Sequence, residues 1–185
     1  MSNELRAGSN AFARLVSRFV RQRDAMTTVE FAILLAPFVA ALFAILQTAM
    51  TFFAGQTLET AAAASARLIQ TGQAQTNGWS AAQFKAQVCN QIHGIFSCNS
   101  GVYVDVETYP SFSSISLGLP VTNGAFDPSA INYNPGGPGD IVMLRLYYQY
   151  PVFVNLFGFN LSNLKNGTNL FAATAVFKNE PYAPS

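Results

Sequence analysis

Residues 31–50 read FAILLAPFVAALFAILQTAM, and no charged residue occurs between Glu30 and Glu59. An α-helix needs about 20 apolar residues to cross a bilayer, and this run supplies them. A secretory h-region is shorter, about 7–15 residues, and ends in a small-residue cleavage site. Here GQTLETAAAASA continues in helical style beyond Met50. The run therefore reads as a membrane span over residues 31–53, in preference to a buried core helix or a removed signal.

Charge on either side of the span sets its direction. Of the ten basic residues, Arg6, Arg14, Arg18, Arg21 and Arg23 precede residue 25, against the two acids Glu4 and Asp24. Such a basic flank is held on the cytoplasmic side, so the span accounts for it better than a nucleic-acid arm does. From Gln56 onward five basic residues face six acidic ones, and no patch suited to nucleic acid forms. The expectation is a single-pass protein with residues 1–25 as a basic cytoplasmic leader and the C-terminal part outside. Apolar residues at 15, 16, 19 and 20 would let the leader lie on an anionic membrane face. With 185 residues, the chain has room for this anchor and one modest domain.

The helix does not end with the apolar run. TLETAAAASARLIQTGQAQ, residues 57–75, is rich in alanine, the best helix former, and Leu58, Ala61, Ala62, Ser65 and Ile69 fall on one face. One long helix is expected from Met26 to Gln73, with Pro37 inside it, as part of a segment 26–75. QTNG (75–78) reads as a turn. WSAAQFKAQVCNQIHGIF then reads as a second helix capped by Ser80, with Ala81, Phe84, Val88 and Ile92 on one face and Gly94 as its stop.

Beyond it the period changes to two. Val102, Val104 and Val106 alternate with Tyr103, Asp105 and Glu107, the pattern of a half-buried strand with its polar face in solvent. Residues 110–139 read as loop, and DIVMLRLYYQYPVFV and TNLFAATAVFK as two further strands. The fold class is α+β: a long N-terminal helix, then an extracytoplasmic domain over 76–185 with a second helix and a small antiparallel sheet. Cys89 and Cys98 suit a disulfide in an oxidising compartment.

Catalytic chemistry is hard to assemble from these residues. There is one histidine, His93, which reads as a surface residue at a helix end. Two cysteines and one histidine fall short of a four-ligand metal site. GlyGlyProGly at 136–139 does not open a helix, so it is no phosphate cradle. Asp105 and Glu107 share a strand face, but one read as solvated. The triplets at Asn160 and Asn166 receive no role. No catalytic residue, cofactor, metal or small-molecule substrate is expected.

Glu30 is the exception to the pattern, a carboxylate set against the start of an apolar helix, where a charge needs a partner. The residues from Ala25 to Phe31, AMTTVEF, followed by the apolar helix, resemble the processing site of type IV pilin-like proteins. VEFAILLAPF and LETAAAASARLIQTGQAQ look like the TadE-like branch of the tight-adherence (Flp) pilus system. YYQYPVF and ATAVFKNEPY are similar to endings seen in its members. That resemblance implies a pilin-like fold and a prepilin peptidase cutting between Ala25 and Met26. Ala25 stands where the family usually has glycine.

It further implies that Glu30 and Phe31 serve assembly and register, Glu30 pairing with the new Met26 amine of a neighbouring subunit. The implied role is that of a minor pilin or pseudopilin in the bacterial inner membrane, with its domain in the periplasm. Its implied partners are the peptidase, other pilins or pseudopilins and the assembly platform. The competing reading is a permanently anchored envelope-binding module that uses the aromatic stretch YPVFVNLFGF.

Overall fold

The computed structural model describes residues 23–92, 97–152 and 162–182. The chain divides into two compact units, Met1–Leu46 and Gln47–Ser185. Helix α1 (Arg23–Gln70) is 48 residues long and keeps Pro37 within it. In the first unit its side chains are mostly bare: Phe31, Ile33, Leu34 and Ile45 are each more than 60% exposed.

The expected helix to Gln73 stops short, at Gln70. Gly72 takes φ +77° and its N–H bonds to the Ile69 carbonyl at 2.9 Å, the left-handed ending that glycine permits. The Tyr182 ring packs where a Gly72 side chain would stand, so that position needs glycine twice over. A single helical turn, α2 (Gln73–Thr76), follows, and the expected turn at 75–78 closes it, the Gly78 N–H donating to the Gln75 carbonyl at 3.0 Å.

Helix α3 (Ala81–Gln91) begins with a capping box. Ser80 Oγ accepts from the Gln83 N–H, and Gln83 Oε1 accepts from the Ser80 N–H at 2.8 Å. Phe84, Val88 and Ile92 are buried as the spacing predicts, whereas Ala81 is exposed. Gly94, the expected stop, and His93 lie outside the described residues. A short helix α4 (Cys98–Gly101) leads into the sheet, and a Cys89–Cys98 disulfide ties α3 to it.

Strands β1 (Val102–Tyr109), β4 (Ile141–Pro151) and β5 (Thr168–Lys178) form one antiparallel sheet in the order β1-β4-β5. Its helix-side face is the main core. Leu58, Ala61, Ala62 and Ile69 of α1 meet Phe84 and Val88 of α3 there, against Val102, Val106, Leu144 and Leu146 of the sheet. The alanine-rich stripe supplies the helix's part of this core.

The other face departs from the sequence reading. Asp105 is only 1% exposed, not solvated, because the segment between β1 and β4 folds back over it. That segment is not plain loop. Strands β2 (Val121–Thr122) and β3 (Ala125–Phe126) form a hairpin through Asn123 (φ 55°) and Gly124 (φ 77°), the Asn-Gly turn of a tight β-hairpin. Phe126 stacks on Tyr103 and Tyr147, with ring centroids 4.8 and 5.6 Å apart, closing a second core around Tyr147, Leu164 and Leu170. Central strand β4 is thus buried on both faces from Val142 to Tyr148.

Burying that face brings a charge inside, and the chain compensates it. Arg145 donates from Nε to Asp105 Oδ2 at 3.0 Å and places Nη2 2.8 Å from the same oxygen. Its Nη1 donates to the Gly118 carbonyl at 2.9 Å, while the Asn132 N–H donates to Asp105 Oδ1 at 3.0 Å. Glu107 Oε2 lies 3.6 Å from Arg145 and accepts from the Tyr109 hydroxyl. The pair therefore pins both ends of the covering segment to the sheet.

Candidate functional site

The residues singled out for processing and assembly, Ala25, Met26, Glu30 and Phe31, all lie on α1 near where the described residues begin. The backbone is helical at Arg23, where the described residues begin, and the Ala25–Met26 bond lies within that helical run. Glu30 is exposed, and among the described residues its carboxylate has no hydrogen bond or ion pair within the chain. Phe31, its neighbour, is 64% exposed. The geometry is that of an acid presented outward on a strongly apolar helix.

The apolar surface above it needs cover from outside the chain. None of the most apolar 18-residue window of α1 is buried in the folded chain. Exposed apolar area of this extent is unfavourable in water and is satisfied by lipid or by other helices. One apolar helix near the N-terminus fits a single-pass membrane protein.

A family model described as TadE-like protein matches residues 25–67. This segment is TadE-like. It opens at Ala25, on the N-terminal side of the bond singled out above, and runs through Glu30, the exposed apolar surface and most of the alanine stripe. No curated protein and no solved structure matches the chain. The TadE-like segment points to a protein associated with tight-adherence pili, a family that is not one of enzymes.

The rest of the chain holds the charged groups that sequence reasoning considered for chemistry. Asp105 and Glu107 do share a strand face, but Arg145, Asn132 and Tyr109 engage them. These contacts help hold the fold: Asp105 is buried in its pair with Arg145, and Glu107 stays partly exposed beside it. Among the described residues no group of three His, Cys, Asp or Glu side chains lies close enough to hold a metal ion.

Burial pushes the Tyr133 and Tyr147 hydroxyls up to about 12. The sequence reading missed Arg145. Its signal was available: an arginine in the middle of IVMLRLYY demands a buried acid on the neighbouring strand.

The aromatic stretch proposed for an envelope-binding module divides in two. Tyr150 packs its ring 5.5 Å from Phe171 on the main core, and residues 153–159 lie outside the described residues. Of the Asn triplets, Asn160 is outside as well. Asn166 accepts from the Thr168 N–H and hydroxyl, a local turn contact.

Proposed function

We propose that this protein is a minor pilin or pseudopilin that supports assembly of a tight-adherence pilus. In this reading residues 1–25 stay in the cytoplasm, α1 crosses the inner membrane, and the domain that follows stands in the periplasm. A prepilin peptidase cuts between Ala25 and Met26, which removes all five leader arginines. Alanine at position 25 is the smallest side chain after glycine and suits a pocket that excludes larger ones.

The observation that carries the reading is the placement of Glu30. It is presented outward, without a partner in its own chain among the described residues, inside the TadE-like segment and four residues after Met26. A carboxylate within an apolar helix is costly unless a positive group meets it. The Met26 amine of an adjacent subunit supplies that charge after cleavage, and it does so at one axial offset only. Glu30 then sets register between subunits as a single buried polar residue does in a coiled coil. Phe31 and the apolar residues above it exchange lipid for helix contacts during extraction.

The test has two arms. The full chain is expressed with and without a cognate prepilin peptidase, and its N-terminus is sequenced. Met26 as first residue in the peptidase strain is expected, and an intact leader in both refutes processing. In the second arm Glu30→Gln is expected to insert in the membrane normally while surface pili fall at least tenfold. Normal piliation with Glu30→Gln refutes the register role.

A further inference from the structure

Strand β5 is an edge that nothing within the described residues covers for half its length. Antiparallel strands bond to a given neighbour through alternate residues. On β5 the odd-numbered residues face β4, as Asn179 does beyond the strand end by donating to the Asp140 carbonyl at 2.8 Å. The even-numbered residues face outward. At the start of the strand these outward groups are occupied: Asn163 and Leu164 N–H groups donate to the Thr168 carbonyl. The Asn163 side chain accepts from the Leu170 N–H at 2.7 Å and donates to its carbonyl at 3.2 Å. Just past the end, the Glu180 N–H donates to the Gln70 carbonyl at 2.8 Å.

Between those closures, the outward N–H and C=O groups of Ala172, Thr174, Val176 and Lys178 have no partner among the described residues. All four side chains are exposed, and the covering hairpin reaches β1 and β4 without extending over them. Edge strands are normally blunted by prolines, bulges or several charges. Here the β4–β5 register runs unbroken, the window holds no proline, and Lys178 is its single charge.

We infer that this window pairs with the same window of a second copy, joining two three-stranded sheets into one through antiparallel β5 strands. The open groups are symmetric about Ala175. A two-fold axis there sets Ala172 opposite Lys178 and Thr174 opposite Val176, so every outward group meets one of the partner. The next outward pair, Leu170 opposite Glu180, is already closed by Asn163 and Gln70, which limits the pairing to this register. Charge selects the same arrangement. The antiparallel register sends the two Lys178 side chains to opposite ends, whereas a parallel one stacks lysine on lysine and leaves the window unmatched. The result is an isologous two-fold contact. It is independent of leader processing and of Glu30.

The test uses the full chain in detergent or nanodiscs. At the two-fold centre Ala175 faces its own copy across a non-hydrogen-bonded pair, where Cβ atoms come within about 5 Å. Ala175→Cys is expected to give a disulfide-linked dimer on mild oxidation. Thr174→Cys, offset to a diagonal neighbour, is expected to cross-link at least tenfold less. Val176→Pro removes an outward N–H that the fold does not use. Added to the Ala175→Cys chain, it is expected to cut the cross-link at least tenfold.

Amide exchange at 172, 174, 176 and 178 is expected to slow as protein concentration rises. Three results overturn the inference: no cross-link in the Ala175→Cys variant, a cross-link indifferent to Val176→Pro, or protection of these amides only when a different protein is added.

Discussion

The Arg145 guanidinium touches Asp105 through two nitrogens and the Gly118 carbonyl through a third. Asp105 in turn receives the Asn132 N–H. A buried ion pair adds little over a well-packed apolar pair, but removing one partner strands the other charge at a cost of about 3–5 kcal/mol. Arg145→Met is therefore expected to destabilise the protein by about that amount. Asp105→Asn in the same chain should recover a large part of the loss. Urea unfolding followed by near-ultraviolet circular dichroism checks both, and a double-variant loss equal to the sum of the two single losses would show that the pair is not coupled. Glu30 contrasts with Asp105. One acid is compensated inside its own chain, while the other is exposed and has no partner among the described residues.

At the scale of elements, neighbouring strands of equal length have different fates. β4 and β5 each run 11 residues in an unbroken register, yet β4 is buried on both faces and β5 on one. Position in the sheet makes that difference. Helix α3 depends on its ends. Its 11 residues are few for a helix to hold alone, and Ser80 caps it while the Cys89–Cys98 bond ties down its last turn. Ser80→Ala is expected to cost about 1 kcal/mol. The loss should appear as faster amide exchange confined to the first turn of α3. Exchange unchanged at Ala82 and Gln83 would refute the capping role.

For the molecule as a whole, the two cores share one alkaline limit. Tyr147 lies in the second core and Tyr133 packs on the main core, and burial raises both hydroxyls from 10.0 to about 12. Between those values the unfolded chain has lost protons that the folded chain keeps, so stability falls as pH rises. It is fully present below about pH 10 and lost progressively toward 12. Tyr147→Phe should move the midpoint of alkaline unfolding upward. Tyrosinate absorbance and circular dichroism recorded together across this range provide the check, and an unchanged midpoint would contradict it.

Much of this was open to a reader of the residues. The apolar run, the alanine stripe, the Ser80 cap and the valine alternation at 102, 104 and 106 are local patterns, in which the periodicity of a segment reports its own structure. The hairpin at Asn123-Gly124 was equally local but hidden in a stretch rich in Ser, Pro and Gly. The fate of Asp105 was not local at all. Period-two alternation says that two strand faces differ, not that the polar one is wet.

The residues alone therefore settled the long apolar helix, the capped start of α3 and the class of fold, because apolar length and periodicity act within a few turns of chain. Folding settled which sheet face is covered, which acid meets Arg145, and which strand is left with an open edge. Those outcomes depend on segments tens of residues apart meeting in space, and no local spacing encodes that.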